Sequence, residues 1–144
     1  MTSPTRPTSA SAPVFFLAAG LAGALAAGCG AAADHTATLR RLHEAMSAEV
    51  ASPEVLEDHN RLVEDVVSSG ALEGLFQREV TERIGRGQTC GSSELCADHG
   101  FRPTDWIYDV GHAPGDPDLP AGPTLVVGFD SSGRVIDTYY RTRR

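Results

Sequence analysis

PTLVVGFDSSGRVIDTYY, residues 123–140, decides the fold. Two runs rich in β-branched and aromatic residues, PTLVVGF (123–129) and RVIDTYY (134–140), flank Asp130-Ser131-Ser132-Gly133, a turn that ends in glycine. That combination reads as a β-hairpin. Leu125, Val127 and Phe129 share one strand face, and Val126 shares the other with Gly128. A glycine inside a strand marks a twist, a bulge or a close backbone approach, and Gly128 is expected to do one of these.

Upstream, DWIYDV (105–110) has the same composition and predicts a third strand. The linking segment GHAPGDPDLPAGP (111–123) is dense in Pro and Gly. It reads as an irregular, exposed and mobile loop and as a candidate contact surface. Three consecutive strands make an antiparallel meander with one apolar face to cover.

The residues before it supply the cover. In LFQREVTERIG (75–85), Phe76, Val80 and Ile84 recur at four-residue spacing and Gly85 is placed to stop a helix. A longer helix begins at SPEV, where Ser52 can cap, Pro53 loses no needed N–H, and Glu54 favours the positive end of the dipole. Its stripe is Val55, Leu56, Leu62, Val63, Val66 and Val67, and Gly70 stops it. A first helix starts at Asp34 or Thr36 and carries Leu39, Leu42, Met46 and Val50. His43 and His59 lie on or beside these stripes and read as partly buried histidines at a helix contact, not as ligands. The expected fold is α+β, a two-layer sandwich of N-terminal helices on a three-stranded antiparallel sheet.

The start of the chain carries a different signal. Val14 to Gly28 is almost devoid of polar atoms, yet it is shorter than the ~20 residues that span a bilayer. It fits the hydrophobic region of an export signal, with Arg6 as the one basic residue ahead of it. The run ends in LAAGC, Leu25 to Cys29. Ala26-Ala27-Gly28-Cys29 resembles the lipobox of bacterial lipoproteins, although that family usually has Leu where Ala26 stands. The resemblance implies cleavage before Cys29 and acylation of Cys29, by palmitate or similar chains, as the mature N-terminus; plain secretion through an Ala-x-Ala site is the other reading. Each buried methylene adds about 0.8 kcal/mol, so two or three chains anchor far more firmly than one. The expected organisation is a signal peptide over 1–28, a lipidated N-terminus and short linker over 29–33, a helical extension over 34–70, and an α+β domain over 71–144.

The formal net charge is -7, and removing Arg6 with the signal takes it to -8. That balance argues against nucleic acid, which needs a basic stripe. RTRR at the end, with Arg141, Arg143 and Arg144, can touch anionic headgroups or simply be solvated.

Three cysteines in an exported chain leave one over, and lipidation of Cys29 accounts for it. Cys90 and Cys96 then form a disulfide, the Gly91-Ser92-Ser93 stretch giving the loop freedom to close. Two other readings use CGSSELCADHG differently: Cys90, Cys96 and His99 as metal ligands with remote His112 as the fourth, or Cys96 and His99 as nucleophile and base. Zinc sites usually space paired cysteines by two to four residues, which weakens the first.

The order of pieces resembles that of a known family. LEGLFQREVTERIGRG (72–87) resembles the signature of the SmpA/OmlA family, the BamE-like outer-membrane lipoproteins, in Gly74-Leu75, Glu79-Val80 and Ile84-Gly85. DWIYDV is similar to that family's Trp/Tyr strand, and LVVGFDSSGRVIDTYY to its final hairpin with a Phe-Asp pair before the turn. The likeness covers about residues 72–140. Phe76 stands where the family has a capping Thr or Ser, and Gly87 where it has Pro. The two helices before Gly70 and the Cys90–Cys96 loop are additions to the pattern.

The resemblance implies a non-enzymatic accessory subunit of the machinery that inserts β-barrel proteins, anchored in the outer membrane and facing the periplasm. Gly30 after the acylated cysteine agrees, since the Asp that retains some lipoproteins in the inner membrane is absent. No Ser-His-Asp set, phosphate cradle or metal cluster stands out, so no catalytic residue, cofactor or metal is expected. The expected partner is an envelope protein, the β-barrel assembly complex by resemblance, with the membrane reached through the lipid. Trp106, Tyr108, Tyr139 and Tyr140, with the 111–123 loop, are the expected partner-binding surface, because aromatics concentrate at interface hot spots. A rival from another class is an envelope inhibitor or sensor of β-lactamase-inhibitor-like fold that binds another protein or a small ligand.

Overall fold

The computed structural model describes residues 28–144, with side chains from His35 onward. The signal peptide expected over 1–28 thus lies outside the described residues but for the Gly28 backbone, as does the Cys29 side chain. In chain order the elements are α1 (Gly28–Met46), α2 (Pro53–Ser68), α3 (Gln77–Ile84), β1 (Gln88–Thr89), α4 (Glu94–Asp98), β2 (Trp106–Asp109), β3 (His112–Ala113), β4 (Asp116–Pro120), β5 (Thr124–Phe129) and β6 (Val135–Arg141).

The hairpin is β5 and β6. Its turn is held by Asp130, whose Oδ1 accepts from the N–H of Ser132 (2.8 Å), the hydroxyl of Ser132 (2.6 Å) and the N–H of Arg134 (3.0 Å). Gly133 sits at φ 79°, where a side chain would be strained. The sheet has four strands in the order β1-β2-β5-β6, all antiparallel, not the expected three. The extra strand, Gln88–Thr89, is too short to leave a period in the sequence. It continues as a ladder into the cysteine loop, where the Cys90 N–H donates to Asp105 O at 2.8 Å.

The 111–123 segment also departs from expectation. It holds the two-stranded ribbon β3–β4, and that ribbon is tied down. Val50 N–H donates to His112 O (2.9 Å) and His112 N–H to Ala48 O (3.1 Å), so β3 bonds to the α1–α2 connection. Pro117 and Pro120 fit because a two-stranded ribbon has edges that require no N–H.

Helix boundaries follow the caps. The Ser52 hydroxyl accepts from the Val55 N–H at 3.4 Å, Pro53 opens α2, and Gly70 at φ 65° ends the segment. Before α3 the Glu79 carboxylate accepts from the Phe76 N–H at 2.8 Å. Phe76 is therefore the cap position and is exposed, with the Arg134 guanidinium 4.3 Å above its ring, while Val80 and Ile84 go inward. α1 begins before Asp34 and runs through the 29–33 stretch expected as a linker, which contains three alanines, strong helix formers. It stops at Met46, so Val50 belongs to the bridge with β3 and not to the helix stripe.

One core joins both halves of the chain. Leu39 and Leu42 of α1, Leu62, Val63 and Val66 of α2, and Val80 and Ile84 of α3 pack with Trp106, Tyr108, Leu125, Val127 and Phe129 of the sheet. The helical segment 34–70 therefore covers the sheet and does not stand apart. The opposite sheet face carries a second, smaller cluster of Val126, Phe101, Cys90 and Cys96, flanked by Leu95, Ile107 and Tyr139. Among the described residues no helix is long and apolar enough to cross a membrane.

Candidate interaction surface

The four aromatic residues expected at a binding surface divide into two pairs. Trp106 and Tyr108 alternate with Ile107 on β2 and point toward the helices, each only 6 % exposed. Trp106 meets Phe129 edge-on at 4.9 Å, and the Tyr108 hydroxyl donates to Gly85 O at 3.0 Å. Burial pushes the Tyr108 phenol well above its ordinary pKa. Both are core residues, because their strand is the second of four and its inner face is covered by the helices; only the edge of Tyr108 reaches a cleft.

Tyr139 and Tyr140 stand on β6, an outer strand, and both are half-buried. They face opposite sides. Tyr140 packs against the helix-side core, and its phenol pKa is raised by desolvation and by the Glu64 carboxylate. Tyr139 lies on the other side and stacks on His99, ring centroids 3.7 Å apart and planes 22° from parallel.

His99 follows α4, just beyond the loop closed by Cys90–Cys96, whose sulfurs are bonded to each other. The two sulfurs are consumed in that bond, so neither is a thiolate that could attack a substrate or hold a metal. Among the described residues no group of three or more His, Cys, Asp or Glu side chains is gathered as a metal would require. His59 is buried on α2 with Nδ1 3.0 Å from Val110 O, a structural contact. His112 instead has its ring nitrogens 3.0 Å from Ala113 O and 3.2 Å from Ser47 O, at the base of the ribbon.

The C-terminal residues after β6 reach the ribbon. The Asn60 side chain bonds both the N–H (3.2 Å) and the C=O (2.8 Å) of Arg143, and the Arg143 guanidinium donates to Pro120 O at 3.0 Å. Part of the basic tail thus ties β6, α2 and β4 together. Leu119 on β4 is 55 % exposed and Ile136 at the start of β6 is 63 % exposed. Met46, Arg86, Gln88, Tyr108 and His112, with Pro117 and Pro120 of the ribbon, bound a cleft of about 300 Å³.

No protein-family model, curated protein or solved structure matches the chain. The resemblance to the SmpA/OmlA signature rests on the motif residues, and each of these has a local duty. Gly74 and Gly85 take φ 74° and 86°, Glu79 caps α3, Val80 and Ile84 fill the core, and Phe129-Asp130 leads into the turn.

Asp105 and Arg102 form a pair that the helix and strand patterns do not announce. Asp105 is 3 % exposed; its Oδ2 accepts from the Arg102 N–H (2.7 Å) and its Oδ1 from the Phe129 N–H (3.2 Å). The Arg102 guanidinium bonds Asp105 Oδ1 at 3.2 Å and also Phe129 O. An acidic residue directly before an aromatic strand was the available signal.

Proposed function

We propose that the chain is a lipid-anchored outer-membrane protein facing the periplasm, which works by binding and not by catalysis, as an accessory subunit of the kind the SmpA/OmlA resemblance implies. The observation that carries the binding reading is Tyr139, half-buried on the outer strand β6 and stacked on His99. Tyr139, held by its stack on His99, and exposed Leu119 stand on elements fixed by the disulfide loop and by the Asn60–Arg143–Pro120 bonds. Aromatic anchors whose rotamers are already set lose little entropy when a partner covers them. The partner is an envelope protein, and by resemblance a component of the β-barrel assembly complex. Acylated Cys29 would confine the protein to the membrane plane, raising its effective concentration near such a partner.

The test replaces Tyr139 and Leu119 together by Ala in the tagged full chain, with folding checked by circular dichroism. Loss of the co-purifying envelope protein from a folded variant is the expected result; unchanged recovery would remove this surface from the proposal.

A further inference from the structure

The two edges of the sheet are treated differently. At the β1 edge only two residues are exposed as strand, and the disulfide loop follows at once. At the other edge β6 is seven residues long. Its outward backbone groups are taken at the start: Val135 N–H donates to Leu75 O (2.8 Å) and Val135 O accepts from Gly74 N–H (3.0 Å).

The ladder parity says what lies beyond. Val110 N–H donates to Pro123 O at 2.8 Å, so Pro123, Leu125 and Val127 turn their backbone groups toward β2, and Thr124, Val126 and Gly128 toward β6. Their β6 partners, Arg141, Tyr139 and Asp137, therefore turn inward. Thr138 and Tyr140 turn outward, and among the described residues no strand pairs with them.

We propose that this free edge pairs antiparallel with β6 of a second copy of the chain, about a two-fold axis at Tyr139. Parity allows this register: Thr138 of one copy and Tyr140 of the other both turn outward and form a hydrogen-bonded pair, twice over. Side chains select it. Asp137, Tyr139 and Arg141 share the disulfide side of the sheet, and Asp137 and Arg141 are exposed. With Tyr139 on the axis, Asp137 of each copy stands opposite Arg141 of the other. A shift of two residues in either direction loses both charge pairs. In the same register exposed Ile136 meets Thr142 of the second copy, and two four-stranded sheets become one continuous sheet. The pairing shares Tyr139 with the proposed partner surface but is read on the purified chain, so its failure is distinguishable from the failure of the envelope reading.

The experiment is sedimentation of the full chain in detergent over a concentration series, with Asp137→Arg, Arg141→Asp and the double variant. The expected result is a dimer whose dissociation is about tenfold easier in each single variant, where two like-charge pairs replace two attractive ones, and restored in the double. Within one chain the two positions are about 13 Å apart along the strand, so restoration requires a second copy. A photo-crosslinking residue at Thr138 gives a second reading that does not depend on the swaps: an adduct of twice the chain mass is expected. A wild-type monomer throughout, a dimer indifferent to the single swaps, no recovery in the double, or a Thr138 adduct formed only with another protein would each overturn the pairing.

Discussion

The buried Asp105 carboxylate accepts from the Phe129 N–H at 3.2 Å, at the place where β5 and β6 change register. Phe129 turns its N–H toward β2, which begins only at Trp106 opposite Val127, and a side chain from the loop before β2 supplies the missing partner. The same carboxylate holds Arg102, which reaches Phe129 O.

Asp105→Ala leaves the Arg102 and Phe129 N–H groups without their acceptor, the latter in a buried position. The expected loss is about 2–3 kcal/mol, seen as a lower urea midpoint with unchanged slope. A loss below about 0.5 kcal/mol would show that the clamp contributes little.

Two glycines should rank in a fixed order. A Cβ on Gly122 would lie 1.7 Å from Val110 O, whereas on Gly128 it would lie 2.9 Å from the edge of the Phe101 ring. Backbone cannot yield as a ring can, so Gly122→Ala is expected to prevent folding and Gly128→Ala to cost a few kcal/mol, of the size of an overpacked core. Thermal melts of the two variants check the order, and equal melting temperatures would refute it.

Removing the disulfide tests the second cluster. A loop of this length gives roughly 2 kcal/mol in the chain-entropy model, so Cys90→Ser with Cys96→Ser should lower stability by about that amount. The helix-side core contains neither cysteine, so the far-ultraviolet spectrum should persist while hydrogen exchange rises around Val126 and Phe101. Global unfolding instead would show that the two clusters are not separable.

How much of this was legible depended on the range of the causes. The hairpin, the β2 strand, α2 and α3 are announced locally, by alternation at Leu125, Val127 and Phe129, by Ser52-Pro53, and by glycines at 70 and 85. The cysteine pair was legible from count and spacing. β1 and the ribbon were not, because they owe their form to distant bonds such as Val50 to His112 and Cys90 to Asp105. The aromatic site was half misread for a related reason. Composition marks Trp106 and Tyr108 as interface-like, but the addition of β1 outside β2 and of helices over it makes them core.

Acid should weaken the hairpin turn through Asp130. Its carboxyl is held below the usual carboxylate range by the Ser132 hydroxyl first and the Arg134 N–H next. A folded-state pKa below the unfolded one stabilises above the unfolded value, near 4, and that stabilisation is lost as pH falls through the folded value. The stability gap between the wild type and Asp130→Ala should thus be full at pH 7 and shrink steadily below about pH 4. A gap independent of pH would contradict the assignment.

The central claim is that an acylated Cys29 holds a binding domain at the envelope. Its most direct test is to express the tagged full chain in its own host, crosslink gently, solubilise the envelope and identify what co-purifies with the wild type and with Cys29→Ala. The account predicts that the wild type is recovered from the outer membrane together with barrel-assembly components, and that both the membrane location and those partners are lost in the variant. Recovery of the wild type as a soluble, unacylated protein, or with identical partners in the variant, would contradict it.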